Sequence, residues 1–152
     1  MMMNIKHVLN ISGTSEKLDF SVSEERLAEV HTCEFVSPVR VTGDVTNHAG
    51  AVTLRMQIDF SLMVTCDRCL KRLVRDFSYQ EEHIVVRSLE SEEDEADYIV
   101  ARAESIDPEE IAVMDLLLEL PTKMLCREDC KGLCPKCGCD LNEMTCDCFT
   151  EN

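Results

Sequence analysis

The clearest hydrophobic pattern in the chain is an alternation that covers residues 52–64. Apolar side chains occupy every second position there, and all but one of the residues between them are polar. A period of two over this length predicts a long β-strand with one buried face. A shorter alternation over residues 39–45, interrupted at Gly43, precedes it, and residues 47–50 are typical of a turn. The two segments are therefore predicted to pair as an antiparallel hairpin.

A third extended segment is predicted over residues 73–86, where Phe77 and Tyr79 share one face. A helical turn over residues 70–77 is the alternative for its first part. The run that follows, residues 90–97, holds six acidic residues in eight positions. Because so many charges cannot enter a core, we expect this run to be an exposed loop.

The main helix is predicted to begin at Asp107. This residue is a suitable N-cap, Pro108 suits the first helical position, and Glu110 completes a capping box. Four apolar residues are predicted to form the buried face of the helix, namely Ile111, Met114, Leu117 and Leu118. Pro121 follows the last turn.

A shorter helix is predicted around residues 23–30, because Ser21 and Glu24 have the spacing of a capping box. Together these elements predict an α+β fold, in which an antiparallel sheet, a long hairpin or meander, is packed by one main helix. We expect residues 1–121 to form this domain.

The ten cysteines of this 152-residue chain require an explanation other than disulfide bonds. A chain of this length can bury a core without them. Residues 1–12 do not resemble a signal peptide, and no segment approaches the roughly 20 apolar residues of a membrane span. We therefore expect a cytoplasmic protein without a membrane association. In a reducing compartment, clustered cysteines are more typical of metal binding or redox chemistry.

Seven of the cysteines lie between Cys126 and Cys148. The sequence Cys-Pro-Lys-Cys-Gly at residues 134–138 is typical of a zinc knuckle, and zinc prefers four tetrahedral thiolate ligands. Residues 122–152 are therefore predicted to be a cysteine-rich, zinc-binding tail that packs on the α+β domain.

Two structural zinc sites are expected from the spacing of the cysteines. The first comprises Cys66, Cys69, Cys126 and Cys130 and would attach the tail to the sheet. The second comprises Cys134, Cys137, Cys146 and Cys148 and would close the tail on itself. Alternatively, Cys126, Cys130, Cys134 and Cys137 form one site, or Cys139 replaces a neighbour. Cys33 and Cys139 are otherwise expected to be small residues without a metal role.

Complete four-cysteine shells leave no open position for a catalytic water. The four histidines are scattered, and no nucleophile, phosphate-binding or metalloprotease motif is present. The protein is therefore predicted not to be an enzyme and to have no small-molecule substrate. The competing hypothesis is a thiol redox or redox-sensing protein that uses the pair Cys66 and Cys69. The βαβ pattern that usually surrounds such a pair is missing.

The formal net charge of -15 argues against a general nucleic-acid binder, which requires a basic surface. Four basic residues nevertheless surround the first cysteine pair, namely Arg68, Lys71, Arg72 and Arg75. They are possible contacts to the phosphate backbone of a nucleic acid, although pairing with nearby acidic residues is an equally good interpretation.

The order of these motifs resembles that of the YceD family. The resemblance is carried by Cys-Asp-Arg-Cys at residues 66–69, Leu-Pro at 120–121, and residues 130–138 followed by Leu141 and Asn142. It implies a role in accumulation of 23S ribosomal RNA and in assembly of the large ribosomal subunit. Basic ribosomal proteins, 23S ribosomal RNA, or both are the partners implied. The four basic residues around the first cysteine pair would then be the contacts to ribosomal RNA. Residues 66 and 69 match the family's first cysteine pair, and residues 134 and 137 match its tail knuckle.

Overall fold

The computed structural model describes residues 1–146 and 148 and gives the bounds of their helices and strands. In chain order the elements are β1 (Met3–Asn4), α1 (Lys6–Asn10), β2 (Ser15–Ser21), α2 (Glu24–Ala28), β3 (Glu34–Phe35), β4 (Arg40–His48), β5 (Ala51–Thr65), β6 (Arg72–Val86), a 3₁₀ helix (Glu92–Ala96), β7 (Tyr98–Val100), β8 (Ser105–Ile106) and α3 (Pro108–Glu119). These elements make an α+β fold with one main helix, as predicted.

The main sheet has the strand order β2, β4, β5, β6, β7, and β3 pairs with the C-terminal part of β5. These pairs are antiparallel, except that β7 runs parallel to β6. Strands β1 and β8 form a separate antiparallel pair. The sheet is therefore mixed rather than purely antiparallel. The parallel pair arises because the exposed acidic run, which contains the 3₁₀ helix, returns the chain to the edge of β6.

The predicted long strand is confirmed as β5. Its alternating apolar residues are buried, namely Val52, Leu54, Met56, Ile58, Phe60, Leu62 and Val64. Strand β6 pairs with β5 from Thr65 and Arg72 at one end to Val52 and Val85 at the other. The extended form of the third segment is thereby confirmed. The hairpin places its turn, residues 66–71, at one end of the sheet.

The interruption of the alternation at Gly43 reflects a close approach between two strands. Gly43 of β4 lies opposite Met56 of β5. A Cβ atom added at Gly43 would lie 1.9 Å from the backbone oxygen of Arg55, so only glycine fits this position without movement of the backbone.

Helix α3 begins as predicted but buries a different face. The side chain of Asp107 accepts a hydrogen bond from the amide of Glu110 at 3.1 Å, which confirms the N-cap. The prediction that Ile111, Met114, Leu117 and Leu118 form the buried face is wrong for the last three of these, which are exposed. The buried residues of the helix are Pro108, Glu109, Ala112, Asp115 and Leu116.

A polar pair explains this orientation of α3. Asp115 faces the sheet, where one of its carboxylate oxygens lies 2.7 Å from Nε2 of His83 on β6. Burial raises the pKa of Asp115, and His83 opposes this rise. Hydrophobic periodicity alone could not anticipate a carboxylate on the buried face.

The predicted short helix is present as α2, but Ser23 is its N-cap, not Ser21. The side chain of Ser23 accepts a hydrogen bond from the amide of Arg26, while its own amide donates to Glu109 Oε1 at 2.6 Å. Ser21 lies in β2 instead, where it pairs with Arg40. The buried carboxylate of Glu109 thus attaches α2 to α3.

The core lies on the face of the sheet that α1 and α3 cover. Val8 of α1 and Leu116 of α3 are fully buried there with the apolar residues of β4 and β5. Burial of this apolar surface is the main driving force for the fold. Within the described part of the chain, no helix combines the length and the apolar character required to cross a membrane.

Candidate metal centre

The turn between β5 and β6 positions the first cysteine pair. The amide of Cys66 donates to the carbonyl of Lys71 at 2.8 Å, and the amide of Leu70 donates to the carbonyl of Cys66 at 2.9 Å. Leu70 has a φ of 62°, a left-handed conformation that is strained for a residue other than glycine. The turn buries the side chains of both Cys66 and Cys69 at the end of the sheet.

The segment after α3 brings the second cysteine pair to this turn. The amide of Asp67 donates to the carbonyl of Met124 at 2.7 Å, and the carboxylate of Asp67 accepts from the amide of Met124 at 2.8 Å. This two-bond contact fixes the backbone just before Cys126. Cys130, one turn later, is also buried.

The four thiols of the first predicted site converge on one position. The sulfur atoms of Cys66, Cys69, Cys126 and Cys130 all lie within 4.8 Å of one another. Two Sγ–Sγ distances, Cys66 to Cys130 and Cys69 to Cys126, are 3.7 Å. Around a tetrahedral zinc ion with bonds of about 2.3 Å, neighbouring sulfur atoms lie about 3.8 Å apart, whereas a disulfide bond is about 2.05 Å long. The thiols are free, and their spacing fits a bound metal ion.

The backbone around the first site favours a thiolate at Cys66. Its pKa is lowered to about 6, chiefly because the amide of Cys69 donates to the sulfur, with further donation from the amides of Cys126 and Arg68. Burial, by contrast, raises the pKa of Cys126 to about 12. A metal ion binds thiolates and would therefore displace the proton of Cys126.

The second group of thiols forms around the predicted knuckle in the tail. The amide of Gly138 donates to the carbonyl of Cys134 at 2.9 Å, and the amide of Cys134 donates to the carbonyl of Cys139 at 2.8 Å. Gly138 has a φ of 76°, which glycine adopts at little cost. The amides of Cys137 and Lys136 lower the pKa of Cys134 to about 6.

Cys139, which was predicted only as an alternative ligand, belongs to the tail group. The sulfur atoms of Cys134, Cys137, Cys139 and Cys146 lie within 4.8 Å of one another. Cys148, predicted as the fourth ligand, contacts the thiols of Cys137, Cys134 and Cys146, and the contact with Cys137, burial and the other two contacts raise its pKa to about 12. Five thiols therefore surround this position, one more than a tetrahedral metal ion takes. Two cysteine groups of this chain can thus hold metal ions.

Comparison with known proteins places this chain among its relatives. The profile of a family described as "Large ribosomal RNA subunit accumulation protein YceD" matches residues 54–152, well over half of the chain. The chain belongs to the YceD family. The matched range includes every cysteine of both groups.

Among curated proteins, uncharacterized proteins of Mycobacterium bovis and Mycobacterium tuberculosis are similar to this YceD-family chain. Each is 47% identical to it over 51 residues. The match covers 34% of this chain, and it spans 24% of the relatives' own length. No solved structure matches the chain significantly.

In this YceD-family chain, two of the four predicted RNA contacts hold the loop of the second cysteine pair. Arg68 donates to the carbonyl of Cys130 at 2.9 Å. Arg75 donates to the carbonyl of Leu125 at 2.6 Å. Each guanidinium therefore stabilises the backbone beside a candidate ligand, a role that clustering of basic residues along the sequence did not indicate.

The other two predicted RNA contacts lie at the sheet end of the same hairpin. Arg72 forms an ion pair with Glu34, with a separation of 2.7 Å between nitrogen and oxygen, and both side chains are largely exposed. Lys71 is exposed in the turn. The prediction that these four residues contact RNA stays a prediction.

Cys33 lies in neither cysteine group. It is partly buried and packs against the edge of the hydrophobic core. Its sulfur lies 3.7 Å from the hydroxyl of Thr32. This environment is that of a small apolar residue.

Proposed function

We propose that this YceD-family protein is a non-enzymatic, zinc-binding factor that supports accumulation of 23S ribosomal RNA and assembly of the large ribosomal subunit. Membership of the family is the observation that carries the ribosomal role. The chemistry of the two cysteine groups supports the choice of zinc, because clusters of free thiolates are typical of zinc sites.

In this proposal both zinc ions are structural. The first site offers four thiols, three of them buried, so a bound ion would have a complete shell without water. It would join the turn between β5 and β6 to the segment that follows α3. Zinc therefore contributes directly to the stability of the tail.

Charge suggests how such a factor would meet its partners. A formal charge of -15 favours basic ribosomal proteins over bare RNA, since attraction of opposite charges speeds association. If the protein also contacts 23S ribosomal RNA, exposed Lys71 is better placed for this contact than Arg68 or Arg75. The guanidinium groups of these two arginines already donate to backbone carbonyls.

Depletion of the protein in its host, followed by complementation, tests the ribosomal role. Loss of the protein should lower the ratio of 23S to 16S ribosomal RNA, and the unaltered chain should restore it. The double variant Cys66→Ser and Cys69→Ser should fail to restore it, whereas the control Cys33→Ser should succeed. An unchanged ratio after depletion would refute the proposal.

The lowered pKa of Cys66 favours a second candidate, a thiol redox or redox-sensing protein that uses Cys66 and Cys69. Full burial of the Cys66 side chain opposes it, because a redox thiol must be reached by its partner. Native mass spectrometry separates the two. Two tightly bound zinc ions per chain support the structural role, whereas a metal-free chain with a reducible bond between Cys66 and Cys69 supports redox chemistry.

A further inference from the structure

Helix α3 presents an apolar stripe to solvent. Met114, Leu117 and Leu118 are 58%, 40% and 79% exposed. Their spacing of three and four residues places them side by side on one face of the helix. Ile111, which is partly buried, lies two turns before Leu118 on the same side.

The opposite face of α3 packs against the sheet, where Ala112 and Leu116 are fully buried and Asp115 is also buried. The stripe therefore lies on the side of the helix that the described residues leave uncovered. Contiguous exposed apolar surface on a protein usually marks an interaction site.

Clefts on both sides of α3 extend the stripe. Towards its N-terminal end, Ile111 and Met114 line one cleft together with Ile99 of β7. Towards its C-terminal end, Leu117 shares a cleft of about 600 Å³ with Met124. A ridge with a groove on each side can seat an elongated segment better than a flat surface can.

The charges of α3 itself are all acidic, since its sequence contains Glu109, Glu110, Asp115 and Glu119 and neither lysine nor arginine. Glu110 is exposed one turn before Met114 on the side of the stripe. In the flanking clefts, Glu34 pairs with Arg72 and Arg102 pairs with Glu95, so their charges are largely balanced. A second copy of this chain would place a like-charged surface, with a net charge of -15, against this one. A basic partner would instead be attracted and could pair with Glu110.

We infer that the stripe on α3 is a docking site for an amphipathic protein segment that carries lysine or arginine beside its apolar face. Apolar side chains of the segment cover Met114, Leu117 and Leu118, and its basic residues face Glu110. This inference deepens the assembly function and rests on it for the class of protein to which the segment belongs.

Site-specific cross-linking in the host tests the docking site on the full chain. A photoreactive p-benzoylphenylalanine replaces Leu118, and in a control chain it replaces Val74, which is 53% exposed on the opposite face of the sheet. Mass spectrometry then identifies the cross-linked peptide. A segment with basic residues beside apolar residues at helical spacing supports the inference. Cross-links to a second copy, to an acidic or uncharged segment, or no excess over the control overturn it.

Polar substitutions provide an independent measurement with the peptide so identified. Leu117→Ser combined with Leu118→Ser should weaken binding by about tenfold or more, because residues at the centre of an interface carry most of its energy. Val74→Ser combined with Ile84→Ser is the matched control, since both residues are about half exposed on the other face. Equal affinity of the two double variants overturns the inference, and thermal melts establish that both are folded.

Cross-linking and depletion together separate this inference from the ribosomal function. If position 118 cross-links to a basic amphipathic segment while depletion of the protein leaves 23S ribosomal RNA unchanged, the docking site stands and the ribosomal role fails. If depletion lowers 23S ribosomal RNA but position 118 gives no cross-link, the ribosomal role stands and the docking site fails.

Discussion

The side-chain amide of Asn142 donates a hydrogen bond to the sulfur of Cys130 at 3.3 Å. Cys130 belongs to the cysteine group at the sheet, whereas Asn142 lies between Cys139 and Cys146 of the tail group. This contact therefore links the two candidate metal sites. It is also the largest cause of the lowered pKa of Cys130.

Other bonds hold Asn142 in this position. Its side-chain oxygen accepts from the amide of Lys131 and from the guanidinium of Arg127, both at 2.8 Å. The backbone amide of Asn142 donates to the carboxylate of Asp140 at 2.9 Å. Such partners of metal ligands orient the ligand and tune its affinity for the metal.

We predict that Asn142→Ala weakens zinc binding at the sheet site by about 10- to 100-fold, the usual effect of removing a hydrogen bond to a ligand. Competition with a zinc chelator measures the affinity, and differential alkylation identifies the cysteines that become reactive. The cysteines of the sheet site should become reactive before those of the tail site. Glu143→Ala, at an exposed neighbouring position, is the control and should match the unaltered chain. Loss of zinc from the tail site alone would show that Asn142 does not affect zinc binding at the sheet site.

The five thiols of the tail lead to a second prediction, concerning the fourth ligand. Because Cys139 lies within the compact quartet, Cys139→Ser should lower zinc affinity at the tail site more than Cys148→Ser does. Native mass spectrometry at increasing chelator concentration compares the two variants. Cys33→Ser should have no effect, since this residue lies at the edge of the core. A larger loss from Cys148→Ser would instead favour the ligand set expected from the sequence.

Much of the fold could be predicted because its signals are local. The alternation that became β5 and the N-cap at Asp107 depend on neighbouring residues, and both are present. The orientation of α3 could not be predicted in this way. It depends on the pair Asp115 and His83, which are distant in sequence and meet only in the folded chain. The parallel pairing of β7 likewise depends on where the acidic run returns the chain to the edge of β6.

The cysteine groups show the same limit. Close spacing within the sequence pointed to Cys66 and Cys69 and to the tail knuckle, and the structure brings the first four predicted cysteines together. Close spacing did not indicate whether Cys139 or Cys148 completes the tail group, because both lie near the knuckle in the sequence. Nor did it indicate that Arg68 and Arg75 hold the loop through its carbonyls, since backbone contacts leave no pattern in the sequence.

The buried carboxylate of Glu109 predicts a pH-dependent part of the stability. Hydrogen bonds from Ser23 are the main cause of its lowered pKa. A lowered pKa in the folded state stabilises the protein above the unfolded pKa of about 4.3, and this stability is lost as the pH falls through the folded value. Glu109→Gln should therefore lower the free energy of unfolding at pH 7 by about 1–2 kcal/mol.

Urea denaturation at pH 7, 5 and 3.5 measures the difference between Glu109→Gln and the unaltered chain. The difference should be largest at pH 7 and shrink towards pH 3.5, because the carboxyl group of Glu109 in the unfolded chain takes up a proton below about pH 4.3. Glu110→Gln is the matched control, because Glu110 is exposed in the same helical turn. This substitution should lower the free energy of unfolding by less than Glu109→Gln does. A difference that is constant over this range would contradict the role assigned to the Glu109 carboxylate.

The close approach at Gly43 predicts a strongly destabilising substitution in the sheet. In Gly43→Ala the new Cβ would lie 1.9 Å from the Arg55 oxygen and 3.0 Å from the Cα of Met56. Both are backbone atoms of β5, so no side-chain rotation relieves the clash and the two strands must move apart. We expect a loss of about 3 kcal/mol or more in the free energy of unfolding. Thr42→Ala, at the adjacent position of β4, should cost less than about 1 kcal/mol. Chemical denaturation followed by circular dichroism compares the two, and similar midpoints would show that β4 can shift to accept a side chain.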